Sequence, residues 1–392
     1  MTFAAGAEAV TGGVAAAAPD AHYMARALEL AGRALYTTDP NPRVGCVLVR
    51  DGRVVGEGWH ERAGEPHAEV LALRAAGADA AGATAYVTLE PCSHTGRTPP
   101  CADALIAANI GAVRCATVDP NPKVRGAGLR RLEAAGIPVS VGEQAAAARA
   151  LNPGFFSRFE RGRPYVRLKL AMSLDGRTAH AGGVKAWVSG PESRADVQRL
   201  RARSSAILTG AGTVRADDPR LDVRLDYGPF VRQPLRVVLD AELSCNPEAS
   251  VFHGSDALVF AAPEVVAGVG ASARKAAAGR RIEALVRAAG GLDLGAVLER
   301  LAVLEINELL VECGPRLAAS FVRARLVDEL ILYMAPTLLG ADAPPLTALT
   351  GLTGAGAIDR DRFEFGDVCR LGADLRLTLT PAQAMARATA PT

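Results

Sequence analysis

The sequence predicts an α/β protein built as two domains, and three observations predict it. In the first part of the chain, short apolar strand-like runs alternate with helical periodicity, the pattern of a sheet layered between helices. In the second part, two glycine turns each follow an apolar strand, and at least the later one opens a helix. Between them, residues 152–164 mix aromatic, basic, Gly and Pro residues and read as a boundary. We therefore expect a disordered tail over 1–19, a first domain over 20–152 and a second over 164–381.

Taken in order, Asp20 caps an expected helix over 21–33, where Met24, Ala27, Leu28 and Ala31 recur at helical spacing. Residues 38–42 form a turn by composition. Strands are expected over 44–49 and 53–58, joined by Asp51-Gly52, a hairpin signal. A helix follows from His67 through 76, then a strand over 84–89, a helix over 102–109 and strands over 113–118 and 137–141. The second domain opens with a strand over 165–171. A helix over 191–203 starts with Pro191 at its first position. Further strands are expected over 206–209, 235–240, 257–261, 309–312, 327–334, 363–369 and 374–380, with a helix after Gly314 to about 325.

Composition excludes several classes. Lys and Arg total 44 against 42 Asp and Glu, a net charge of +2, which lacks the basic excess of a nucleic-acid binder. No run of eighteen apolar residues occurs, so no membrane span is expected. The first residues lack a basic region followed by an unbroken apolar one, so no signal peptide is expected. Seven cysteines at irregular positions argue against a disulfide scaffold and for a reducing compartment, the cytoplasm.

The chemistry concentrates in one stretch, His67-Ala68-Glu69 followed by Pro91-Cys92 and Pro99-Pro100-Cys101. One imidazole and two thiols suit zinc, and three ligands leave the fourth tetrahedral position open, as in a catalytic site. Zinc brings the pKa of a bound water towards neutrality. Glu69, two residues from the imidazole, is placed to carry that water's proton rather than to be a fourth ligand. The zinc deaminase pattern is H-x-E then P-C-x-x-C. Here eight residues, not two, separate Cys92 from Cys101. His94 is another imidazole in reach, but only His67 has the acid two residues on. Two alternatives stay open: a deaminase acting on nucleic acid, and a structural zinc module that would need a fourth ligand such as Cys46.

His67-Ala68-Glu69 with the run from Pro91 to Cys101 resembles the deaminase half of the bifunctional deaminase/reductase family of riboflavin biosynthesis. Residues 169–176, 209–213, 216–219 and 311–315 resemble its reductase half. The resemblance implies a cytidine-deaminase-like α/β/α domain followed by a dihydrofolate-reductase-like α/β domain, with Zn2+ and NADPH as cofactors. It implies that the first domain deaminates a pyrimidine ribosylamine phosphate, with His67, Cys92 and Cys101 on zinc and Glu69 catalytic. The second domain would then reduce the ribosyl group to a ribityl chain. Cofactor contacts are implied at Ala171, Trp187, Thr213, Asp217, Gly314, Pro315, Arg316, Leu317, Ala318, Ala319 and Ser320. Substrate contacts are implied at Asn41, His94 and Arg97 in the first domain, and at Lys185, Arg201, Leu221, Arg224 and Glu312 in the second. Arg201 and Arg224 would converge on the substrate phosphate, because guanidinium offers bidentate donors. Without the resemblance, Arg201 reads with Arg199 and Arg203 as a solvated helix face. A homo-oligomer is expected, with no nucleic-acid or membrane partner.

Overall fold

A computed structural model describes residues 19–93, 100–183, 186–226, 228, 231–254, 256–268, 280–288, 291–349 and 363–382. The chain divides into two compact units. One comprises Met1–Arg33, Val44–His60 and Gly64–Leu151, and the other Ala34–Arg43, Glu61–Ala63 and Asn152–Thr392.

The first unit runs α1 (Pro19–Gly32), β1 (Gly45–Arg50), β2 (Arg53–Trp59), α2 (Ala68–Ala76), β3 (Thr84–Val87), α3 (Cys101–Ala107), β4 (Ala112–Cys115), α4 (Ala127–Ala134), β5 (Val139–Val141) and α5 (Ala145–Leu151). The sheet order is β2-β1-β3-β4-β5. The β1–β2 hairpin and the β1–β3 pair are antiparallel, and β3–β4–β5 are parallel. Asp51 and Gly52 turn the hairpin with φ of 51° and 74°, the left-handed pair that an Asp-Gly turn supplies cheaply. One face of the sheet packs Cys46, Leu48, Ala85 and Val87 against Ala68 and Ala72 of α2, Ala102 and Leu105 of α3 and Leu132 of α4. The other packs Val47, Val49 and Tyr86 against Met24, Ala27 and Leu30 of α1. Alternate residues of β1 thus serve opposite cores. Helix α2 sits close on β2: a Cβ at Gly58 would lie 2.5 Å from the Ala68 carbonyl oxygen.

The second unit runs α6 (Pro153–Arg161), β6 (Tyr165–Ser173), α7 (Pro191–Arg203), β7 (Ala206–Gly210), α8 (Ala211–Asp217), β8 (Leu235–Leu239), β9 (Ala257–Ala261), α9 (Pro263–Gly268), β10 (Arg280–Ala284), a small β11–β12 pair (Arg287–Ala288, Gly291–Leu292), α10 (Leu294–Val303), β13 (Glu308–Glu312), α11 (Pro315–Arg323), β14 (Glu329–Ala335), β15 (Phe363–Leu371) and β16 (Asp374–Pro381). Its sheet has the order β10-β9-β8-β7-β13-β6-β14-β16-β15. The strands from β10 to β14 are parallel, and β16 and β15 add antiparallel at one edge. Parallel strands need both faces covered. Leu309 and Val311 enter the core with α10 and α11, while Leu310 enters the core with α7 and α8.

Three readings change. The stretch 152–164 is not an irregular connector: Pro153 starts α6, and Phe155 and Phe156 are buried along it. The first glycine turn also opens a helix, α8. The expectations omit helices α4, α5, α9 and α10 and strands β10, β11 and β12. The expected tail lies outside the described residues up to 18.

Candidate functional site

In the first unit the metal-type side chains come from three local structures. His67 is the extended N-cap of α2, with φ −75° and ψ 164°. Cys92 lies beyond the carboxyl end of β3, and Cys101 is the first residue of α3. Their ligand atoms all lie within 4.8 Å of one another, the cluster of this kind found among the described residues. His67 Nδ1 is 3.2 Å from Cys101 Sγ and 3.6 Å from Cys92 Sγ. The Cys101 main-chain N–H donates to Cys92 Sγ at 3.3 Å. The Cys101 thiol, then the His67 ring and this N–H, draw the Cys92 thiol well below the usual range, as a helix start and a neighbouring imidazole do for a thiolate. A nitrogen and two sulfurs fit a zinc ion with an open fourth position. Cys46 is not part of the cluster. It is buried on β1, and its thiol is pushed well above the usual range by burial.

Glu69 follows on the first turn of α2 and is 3% exposed. Burial raises its carboxyl to about 7, against the opposing pull of His67. A group there can take and return a proton near neutrality. Around it are groups the sequence did not single out. His60 is buried edge-to-face on the His67 ring at 5.2 Å, with Nδ1 3.2 Å from the Pro66 carbonyl oxygen. Glu90 accepts the N–H groups of Asp119, Gly126 and Gly128 at 3.1, 2.8 and 3.0 Å. It thereby fixes the loop that precedes Cys92. The signal for Glu90 is an acid at the end of the strand-like run 84–89, directly before Pro91-Cys92. Asn41 lies in the segment Ala34–Arg43, which belongs to the second compact unit. His94, Arg97 and Lys185 lie outside the described residues.

In the second unit, the two glycine turns stand at the carboxyl ends of neighbouring parallel strands, β7 and β13. Thr213 Oγ1 accepts the Gly314 N–H at 3.1 Å, and a Cβ at Gly210 would reach Leu317 Cδ2 at 3.2 Å. The two turns are therefore joined. Ligands of open α/β sheets bind at the carboxyl ends of strands, and a helix start such as that of α11 favours an anion. That architecture fits a dinucleotide. Gly314 caps α11 and Pro315 occupies its first position. Arg316, Leu317, Ala318, Ala319 and Ser320 follow on the helix, where Ala318 and Ala319 are buried and Ser320 Oγ donates to the Arg316 carbonyl. Ala171 lies on β6 and Asp217 ends α8. Trp187 is 74% exposed, with the Arg194 guanidinium 5.3 Å above its ring.

Arg201 is not on a solvated face. It is 8% exposed, and Nε and Nη2 meet the two Glu312 carboxylate oxygens at 2.7 and 3.0 Å. Its Nη1 donates to the Asp222 carbonyl at 3.1 Å. Burial alone would raise the Glu312 carboxyl, but Arg201 and Lys169 hold it below the usual range. Lys169 Nζ is 4.0 Å from Glu312, and burial lowers its ammonium. The signal for Lys169 was Arg167 and Lys169 on one face of an otherwise apolar strand. Leu221 is buried with φ 51°. Arg224 is half-exposed and pairs with Asp222 Oδ1 at 2.8 Å.

Fold and site together define a zinc-dependent deaminase and an NADPH-dependent reductase on one chain. The family described as cytidine and deoxycytidylate deaminase zinc-binding region matches residues 18–117, and the RibD C-terminal domain family matches residues 164–377. The riboflavin biosynthesis protein RibD of Escherichia coli is 48% identical over 373 residues, covering 93% of this chain and all of that one. That of Haemophilus influenzae is 46% identical, covering 92% and 97%. A solved Acinetobacter baumannii RibD superposes with TM-score 0.85 at 43% identity, covering 93% and 99%. The chain belongs to the RibD family, and its two activities, deamination and reduction, serve riboflavin biosynthesis.

Proposed function

We propose that this chain hydrolyses the 2-amino group of 2,5-diamino-6-ribosylamino-4(3H)-pyrimidinone 5′-phosphate. It then reduces the ribosyl group with NADPH to give 5-amino-6-ribitylamino-uracil 5′-phosphate. A Thermotoga maritima relative, 30% identical with TM-score 0.80, is described as a deaminase/reductase of this kind. The observation that carries the reading is the convergence of His67, Cys92 and Cys101 beside buried Glu69. We assign the deaminase to 20–152 and the reductase to 164–381. The compact reductase unit also includes Ala34–Arg43.

His67, Cys92 and Cys101 would hold zinc, which supplies the Lewis acidity that makes water nucleophilic near neutral pH. Glu69 takes the proton of the attacking water and returns it to the departing amine, which leaves as ammonia. Asn41, His94 and Arg97 are assigned to the pyrimidine and its ribosyl phosphate. In the reductase, Ala171, Trp187, Thr213, Asp217 and residues 314–320 would hold NADPH, which supplies the reducing equivalent. Lys185, Leu221, Arg224 and Glu312 would contact the ribosylamine phosphate. Arg201 joins that pocket by fixing Glu312 and the Asp222 loop. We further place the protein in the cytoplasm, a reading supported by its seven free cysteines, and as a homo-oligomer acting on a small molecule. No described helix is long and apolar enough to cross a membrane.

Incubation of the pure protein with the diaminopyrimidine, with and without NADPH, and product mass test the reading. Without NADPH only the deaminated compound should form. No mass change in either arm would end it.

Two substitutions test individual assignments. Cys92→Ala should lose zinc and deamination together while reduction of the deaminated compound persists, because three ligands are needed. Stoichiometric zinc in that variant would remove Cys92 from the site. Arg201→Ala should weaken binding of the deaminated substrate, because it removes the partner that fixes Glu312 and the Asp222 loop, with NADPH binding little changed. Separate titrations distinguish the two. Loss of NADPH binding alone would move Arg201 to the cofactor.

A further inference from the structure

With Arg201 buried against Glu312 and the Asp222 carbonyl, a phosphate dianion beside Arg224 would gain from a second, exposed cation. The neighbouring loop contains one. Arg220 Nη2 meets Asp222 Oδ2 at 2.7 Å, while Arg224 Nη1 meets Oδ1 at 2.8 Å. One carboxylate thus takes one nitrogen from each guanidinium and holds the two side by side. The trio keeps a net positive charge, and each guanidinium retains further donors for an oxyanion.

The loop is built to present this pair. Leu221 and Val223 are buried, whereas Arg220 and Arg224 are exposed with Asp222 half-buried between them. The burial pattern turns the two apolar side chains to the core and the two arginines to solvent. The backbone beneath them is fixed. Gln233 both accepts from Val223 N and donates to Val223 O, at 2.8 and 2.9 Å. Gln198 accepts from Arg224 N at 2.8 Å, and Arg201 donates to Asp222 O. Exposed ion pairs contribute little to stability, so stability alone does not account for so many anchors under two arginines.

We propose that Arg220 is a substrate-binding residue of the reductase, forming with Arg224 a two-arginine clamp for the 5′-phosphate that Asp222 preorganises. The inference rests on the reading of this unit as the reductase and deepens it.

Arg220→Gln, Arg220→Lys and Arg224→Gln, each in the full chain, test it. The readouts are KM for the deaminated ribosylamine phosphate, KM for NADPH, kcat, and inhibition by inorganic phosphate. Arg220→Gln should raise substrate KM and the inorganic phosphate Ki by about tenfold, the loss of one charge-assisted contact. Its kcat and NADPH KM should stay within about twofold, the signature of lost uniform binding. Arg220→Lys should recover part of the loss. If Arg220→Gln leaves substrate KM and phosphate Ki unchanged while Arg224→Gln raises both, Arg220 is only a surface partner of Asp222. The inference then falls and the pocket reading stands. If both glutamine variants leave substrate KM unchanged and raise NADPH KM, the pocket itself is misassigned and both fall.

Discussion

Glu69→Gln is expected to reduce deamination by about a hundredfold to ten-thousandfold, the range for loss of a positioned acid–base group. The substitution keeps the shape of the side chain and removes only its ability to accept and return a proton. Zinc content should stay the same, because His67, Cys92 and Cys101 are untouched. Folding should also survive, since a neutral amide replaces a carboxyl that burial already raises to about 7. Reduction of the deaminated compound should be unaffected. Metal analysis, deamination rate and reductase rate on one preparation check all three. Zinc lost in proportion to activity would make Glu69 a ligand or a structural support instead.

The parts of this molecule legible in the sequence are those set by neighbours along the chain. Asp51-Gly52 specified its hairpin because two left-handed residues in a row leave few other choices. His67 and Glu69 were legible because one helix start fixes both. The two glycine turns were visible as motifs, but their junction through Thr213 and Gly314 was not, since 101 residues separate the partners. The burial of Arg201 was not legible from its own helix for the same reason. On α7 its neighbours Arg199 and Arg203 are charged too, so periodicity finds no buried stripe. What buries Arg201 is Glu312, 111 residues away, and a buried cation is stable only with such a partner. The helix α6 escaped because its aromatic and basic residues resemble a connector until Phe155 and Phe156 find a core.

Long-range pairing of this kind also sets the largest expected stability effect, at Glu308. Its carboxylate is 2% exposed at the start of β13. Arg43 Nη1 meets Oε1 at 2.7 Å, Arg167 Nη1 bonds Oε2, and Arg203 Nε lies 3.4 Å from Oε2. Arg167 also reaches Glu329 at 2.6 Å. Around this cluster the segment Ala34–Arg43 is tied down: Asn152 brackets Arg43 through its main-chain N and O at 2.8 and 2.9 Å, and Asn307 donates to the Pro40 carbonyl at 2.8 Å. Burial would raise the Glu308 carboxyl, but Arg43, Arg167 and Arg203 hold it far below the usual range. Because the folded-state pKa is depressed, the stabilisation is present above the unfolded value of about 4.3 and is lost as pH falls below it. Glu308→Gln removes the charge that Arg43, Arg167 and Arg203 converge on, while Arg167 keeps Glu329. Breaking a buried ion pair from one side costs about 3–5 kcal/mol, or roughly 6–20 °C in Tm for a unit of this size. The variant should therefore melt well below the parent at neutral pH, and the gap should narrow in acid as the parent's own carboxylate protonates. Differential calorimetry across pH is the measurement. Equal melting of parent and variant at neutral pH would mean that desolvation cancels the attraction and that the cluster fixes the position of Ala34–Arg43 without stabilising it.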